Sequence, residues 1–118
     1  MILVDTSVWI DHLRKGDREL AGLLNEGVVL CHPFVIGELA CGNLKNRAEI
    51  LSLLAALPTS PVASHEEGLH LVADRKLAGK GLGWIDVHLL ASALLSKCTL
   101  WTKDKALESV AGALKIGA

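Results

Sequence analysis

Three short apolar runs, Ile2-Leu3-Val4, Val28-Val29-Leu30-Cys31 and Thr99-Leu100-Trp101-Thr102, carry no alternating polar positions. Each is followed by residues that open a helix, not a hairpin. A strand buried on both faces reads this way, whereas a strand with one wet face alternates. After the first run, Asp5-Thr6-Ser7 are suited to capping a helix, with Val8, Trp9, Ile10 and Leu13 at helical spacing. After the second, Pro33 suits the first turn of a helix through Val35, Ile36, Leu39 and Ala40 to Gly42. After the third, Asp104 leads a helix to Val110.

The intervening chain is also largely helical. Leu20, Leu23 and Leu24 mark a helical face closed by Gly27, and Ala48 to Leu57 is a helix that Pro58 stops. Ser64 and Glu67 have the form of a capping box for a helix towards Lys80. Gly79, Gly81 and Gly83 form a loop, and Asp86 begins the most apolar helix, through Leu89, Leu90, Ala93 and Leu94. Pro61-Val62-Ala63 and Leu114-Lys115-Ile116 read as further short strands. The expectation is an α/β fold: a three-layer α/β/α sandwich around a mostly parallel central sheet, with residues 1–118 as one domain. In such folds the functional crevice lies beyond the carboxyl ends of the strands.

Composition narrows the class. Of the 118 residues 51% are hydrophobic and 21% charged, which supplies a core and excludes disorder. Aromatic residues reach only 3%, which counts against RNA-binding sheets and oligonucleotide barrels that stack bases on aromatic platforms. A net charge of −1 excludes a surface that is basic throughout. Cys31, Cys41 and Cys98 are odd in number and far apart, unlike a disulfide framework, and Cys31-His32 has no second pair at zinc spacing. The N-terminus lacks a basic targeting region, and no apolar stretch approaches the ~18 residues of a membrane span. The reading is a reduced, soluble, cytoplasmic protein with no membrane association.

Most acids sit among polar or basic neighbours, as on solvated helix faces. Four do not. Asp5 directly follows the first strand, Asp86 opens the apolar helix, and Asp104 follows the Thr99–Thr102 strand. Glu38 lies among Val35, Ile36, Leu39 and Ala40. Each aspartate also reads as a helix N-cap, and Glu38 as a side chain pointing to solvent. Their convergence at one sheet edge argues for more. Carboxylates gathered there repel unless a cation joins them, and hard oxygen donors suit Mg²⁺, with Mn²⁺ as a substitute. Such a site activates water for phosphodiester cleavage. Glu38 either binds the metal or orients its water.

Four segments then carry a resemblance: Ile2-Leu3-Val4-Asp5-Thr6-Ser7-Val8-Trp9-Ile10, Gly37-Glu38-Leu39, Trp84-Ile85-Asp86-Val87-His88-Leu89-Leu90-Ala91 and Trp101-Thr102-Lys103-Asp104-Lys105-Ala106-Leu107. In order and interval they resemble the PIN-domain ribonucleases, and within these the VapC toxins of type II toxin–antitoxin modules. The resemblance implies a metal-dependent endoribonuclease with Asp5 and Asp86 as principal metal ligands and Glu38 and Asp104 completing an acidic tetrad. It also implies Ser7 and Thr102 as hydrogen-bonding neighbours of the metal shell, a VapB-type antitoxin whose C-terminal segment covers the acidic groove, and a homodimer. His88 matches no family catalytic residue and reads as a helix-face or interface histidine.

From Arg75 to Lys105 the bases Arg75, Lys76, Lys80, Lys97, Lys103 and Lys105 face only two acids, Asp86 and Asp104. This reads as a basic flank for the phosphates of an RNA substrate. Leu51, Leu53, Leu54 and Leu57 are more leucines than one helix face buries, which suits a protein interface. A phosphatase of the haloacid dehalogenase kind requires an aspartate where Ser7 stands. The remaining alternative is a catalytically silent PIN-like scaffold that binds RNA or a protein partner.

Overall fold

The computed structural model describes residues 1–118. Its elements run β1 (Ile2–Val4), α1 (Thr6–Lys15), α2 (Arg18–Asn25), β2 (Val29–Leu30), α3 (Pro33–Ala40), α4 (Arg47–Ala55), α5 (His65–Asp74), α6 (Trp84–Ser96), β3 (Thr99–Trp101) and α7 (Lys105–Ala113). The three strands form a parallel sheet in the order β2-β1-β3, with Leu3 opposite both Leu30 and Leu100. Single parallel bridges extend it on either side, Cys31 to Thr59 beyond β2 and Leu100 to Gly117 beside β3.

Leu3 and Val4 point to opposite faces of the sheet, yet both are wholly buried. Both faces are therefore covered, as the unalternating apolar runs require. The apolar α6 has seven successive buried residues, Val87 to Ala93. A helix buried on every side belongs in the middle of a domain. No helix is long and apolar enough to cross a membrane.

The two expected outer strands are displaced. Pro61-Val62-Ala63 is not a strand; the pairing falls at Thr59, where Cys31 N–H bonds to Pro58 O and Ser60 N–H returns to Cys31 O. Pro61 has no N–H to continue the ladder. Likewise Leu114 to Ile116 turn back from α7 with Lys115 at φ 63°, which delays pairing until Gly117. The capping box of Ser64 and Glu67 is present, but α5 ends at Asp74, because Lys76 adopts φ 55° and Leu77 N–H closes the turn on Val72 O. Of the four α4-region leucines only Leu54 is buried; Leu53 is exposed, and Leu51 and Leu57 are half-buried.

His32 begins α3: its Nδ1 accepts Phe34 N–H at 2.9 Å, while its buried Nε2 has no partner. No metal cluster involves it or Cys31. Burial, with a smaller contribution from His88, pushes His32 down from 6.5 to about 4. The folded state thus binds fewer protons than the unfolded one across that window, so stability is present above 6.5 and lost as pH falls towards 4. In urea melts His32→Asn, which keeps a capping acceptor, should lose less stability than wild type between pH 7 and 4.5. Equal losses would show that His32 does not titrate on unfolding.

Candidate active site

Asp5 sits where β1 leaves the sheet, and its backbone N–H bonds to Trp101 O at 2.9 Å, tying it to the end of β3. It occupies the N-cap position of α1, but its carboxylate makes no capping bond. Instead Oδ2 accepts from Ser7 Oγ at 2.8 Å and from Thr102 Oγ1 at 2.7 Å. Asp5 is buried, and its carboxylate is held by side-chain hydroxyls in place of the helix N–H groups. For Asp5 the simple capping reading fails.

Thr102 is a buried hub. Besides donating to Asp5, its hydroxyl accepts Asp104 N–H at 3.0 Å, and Ser7 Oγ lies 3.3 Å away. Lys103 N–H donates to Ser7 Oγ at 2.9 Å. The turn after β3 is thereby fastened to the start of α1. Asp104 does cap: its Oδ2 accepts Leu107 N–H at 2.9 Å. Capping occupies one oxygen and leaves the charge in place.

Asp86 corrects the expected helix start. The helix α6 begins two residues earlier, with Gly83 as its N-cap, and Asp86 reaches back to accept Gly83 N–H at 2.9 Å. Its acidity is the site's clearest electrostatic sign. Burial raises the Asp86 pKa most, the Gly83 hydrogen bond opposes this, and the charges of Asp5, Asp104 and Glu38 each raise it further. The four acids therefore share one electrostatic neighbourhood. Glu38, expected in an apolar setting, is exposed: its side chain leaves the apolar face of α3, and Oε1 accepts Thr6 Oγ1 at 2.7 Å beside the N-terminus of α1. There the helix dipole favours a carboxylate. Thr6 is the partner that sequence reading misses, although it directly follows Asp5.

No three of the chain's histidine, cysteine, aspartate or glutamate side chains close into a ready-made cage. A small hard cation does not need one, since Mg²⁺ takes one or two carboxylates directly and keeps waters. The donor set, oxygen throughout, with Asp86 raised chiefly by burial and further by the three neighbouring acids, fits such an ion.

The basic flank is smaller than expected. Lys103 Nζ bonds Asp11 at 2.8 Å and Asp17 at 3.4 Å, and Arg75 pairs with Asp74. Both Lys103 partners are held below the usual carboxylate range, Asp11 chiefly by Lys103 and Asp17 chiefly by Leu20 N–H. Lys76, Lys80, Lys97 and Lys105 make no ion pair. His88 is buried, its pKa lowered by burial and by His65, and takes no part in the acid cluster. Beside Glu38 opens a cleft of about 650 Å³ lined by Ile10, Leu13, Leu39, Leu44 and Ile50, with Arg14 and Lys45 among its polar groups.

The PIN domain family model matches residues 2–113. Ribonuclease VapC32 of Mycobacterium tuberculosis is 53% identical over 110 residues, which span 92% of this chain and 89% of that protein. Among solved structures, FitAB bound to an IR36 DNA fragment superposes with a TM-score of 0.66 at 21% identity, covering 95% of this chain and 91% of the other. FitAcB from Neisseria gonorrhoeae gives the same TM-score at 18% identity over 95% and 94%. These two likenesses concern the fold.

Proposed function

Because this chain belongs to the PIN-domain family, we propose that it is a metal-dependent endoribonuclease, the toxin of a VapBC-type toxin–antitoxin module. The observation that carries the reading is the set of four carboxylates, Asp5, Glu38, Asp86 and Asp104, each held by its own hydrogen bond, in a chain 53% identical to a ribonuclease along nearly its whole length. Asp5 and Asp86 would hold Mg²⁺, or Mn²⁺ in its place, with Glu38 and Asp104 completing the acidic set. When bound, the ion supplies a Lewis acid for water activation and for the charge that builds on the phosphate.

The chain's own part is to hold those oxygens in place. Ser7 and Thr102 fix Asp5 by occupying Oδ2 alone. The Gly83 N–H orients Asp86, Thr6 orients Glu38, and the Leu107 N–H orients Asp104. Two hydroxyls on one oxygen hold the Asp5 carboxylate at a fixed angle, as ligand-orienting hydrogen bonds do. RNA incubated with the protein should be cut in Mg²⁺ and remain intact in EDTA. Water is the nucleophile in this reading and the 2′-hydroxyl is not consumed, so the products carry a 5′-phosphate and a 3′-hydroxyl. A 2′,3′-cyclic phosphate would overturn it.

RNA binding should depend on the unpaired bases and not on Lys103. Lys80→Gln and Lys105→Gln should each flatten the slope of log affinity against log salt by about 0.7, the value for one single-strand phosphate contact. Lys103→Gln, whose ammonium already serves Asp11 and Asp17, should leave that slope unchanged. A slope change as large as that of Lys80→Gln would return Lys103 to the phosphate-binding set.

An antitoxin partner follows from the same reading. The apolar cleft that ends at Glu38 supports seating its C-terminal segment, which would cover the acids. Exposed Leu69 and Leu95 support a homodimer, and three unpaired cysteines support a cytoplasmic location.

A further inference from the structure

Trp84 is the first residue of α6, in the same turn as Asp86, and it is 39% exposed. The fold builds a seat for this exposed ring. Against its benzo edge α5 carries Gly68, where a Cβ would stand 2.8 Å from Trp84 Cη2 and 3.2 Å from Cζ2. Any larger residue there displaces the indole. A glycine inside a helix costs about 1 kcal/mol relative to alanine, so the notch is not neutral for α5. His65 lies beside the indole with ring centroids 5.2 Å apart, and His88, one turn along α6, meets it at 4.9 Å with the planes at 87°. Phe34 braces His88 in turn, at 4.9 Å. The indole is thus held by three neighbours and still open to solvent.

A ring immobilised before its ligand arrives loses little freedom when a flat group stacks on it. The neighbouring acids handle a phosphate, and the groups flanking a phosphate in RNA are flat bases. Of the three tryptophans, Trp9 is buried and Trp101 half-buried, which leaves Trp84 as the exposed one. We propose that Trp84, seated on Gly68 and braced by His65 and His88, is a stacking platform for an unpaired base of single-stranded RNA next to the cleaved phosphate. The proposal rests on the ribonuclease reading. It makes the substrate a single strand or a loop, because paired bases are not free to stack elsewhere.

The test is a cycle of protein and RNA changes. Cleavage of a synthetic single-stranded RNA is measured for wild type, Trp84→Leu and Trp84→Phe, with the RNA intact and with each nucleotide flanking the cut made abasic in turn. Trp84→Leu should raise KM roughly tenfold or more on intact RNA, in line with the worth of one base stacked on an aromatic ring. Trp84→Phe should recover most of that, and the Trp84→Leu penalty should vanish on one of the abasic RNAs. A KM equal to wild type, or a penalty undiminished on every abasic RNA, overturns the platform. So does a changed oligomeric state at unchanged KM, which would make the surface a protein interface. Indole fluorescence quenching by the same RNA in EDTA separates the two readings. If wild type cuts no RNA, the ribonuclease reading falls, and quenching that is present in wild type but weakened in Gly68→Ala still supports stacking. Quenching unaffected by Gly68→Ala, whose new Cβ must push the ring aside, overturns it.

Discussion

Replacing Asp5 or Asp86 with asparagine should abolish RNA cleavage and leave the fold in place. Asparagine keeps the shape of each side chain and one accepting oxygen. In Asp5→Asn that oxygen still receives the Ser7 and Thr102 hydroxyls, and in Asp86→Asn it still receives the Gly83 N–H. What goes is one unit of ligand charge. A divalent ion contributes several kcal/mol to a charged transition state, and each 1.36 kcal/mol is tenfold in rate. The expected loss is at least about 10³-fold. Circular dichroism and melting curves close to wild type, measured beside the cleavage rates, separate lost chemistry from lost structure. Cleavage retained by both variants would mean the acids do not carry the reaction.

Removing the charge of Asp104 should make the metal-free protein more stable. Asp104, Asp5 and Glu38 each push the Asp86 pKa up. A carboxyl raised in the folded state binds more protons there than in the unfolded chain, so its contribution is present below its ordinary 3.8 and is lost as pH rises through the raised value. Once Asp86 is charged, the neighbouring charges of Asp5, Asp104 and Glu38 act against it in the metal-free protein. Asp104→Asn relieves part of that repulsion and keeps the bond to Leu107 N–H, since asparagine caps about as well as aspartate. The variant should melt higher than wild type in EDTA at pH 7, and the difference should fade below about pH 4, near the ordinary carboxyl value. An ion that binds only the folded protein adds about 2.7 kcal/mol at a hundred times its dissociation constant. Asp104→Asn, with weaker binding, should gain less from Mn²⁺ at the same concentration. A variant that melts lower in EDTA and gains as much from Mn²⁺ would make Asp104 a cap and nothing else.

Much of this site is legible in the sequence because its residues sit at boundaries. Asp5 directly follows a buried apolar run and Asp104 stands two residues after Thr102, so the pattern of apolar runs places both near strand ends. The same pattern puts Asp86 in the right turn but at the wrong position in it, because Gly83 holds the extended cap conformation without any side chain to announce it. Local pattern cannot show which way a side chain leaves a helix, and Glu38 turns out of its apolar surroundings to meet Thr6, 32 residues earlier. The bond from Lys103 to Asp11 spans 92 residues, so counting bases along the chain overstates the positive surface. The indole seat is hidden for the same reason, since Gly68 and Trp84 lie on different helices and meet only in the packed molecule.

The bond between Thr102 and Asp5 joins residues 97 apart in the chain. A ribosome adding about 5–20 residues per second makes Asp5 roughly 5–20 s before it makes Thr102. Until then β1 lacks its neighbour β3, and Asp5 has only Ser7 of the two hydroxyls that orient it. A chain interrupted between residues 86 and 99 carries Asp5, Glu38 and Asp86 but neither β3 nor Asp104. The order of synthesis therefore completes the four acids proposed to hold the metal only at residue 104, and fragments abandoned earlier lack the full set.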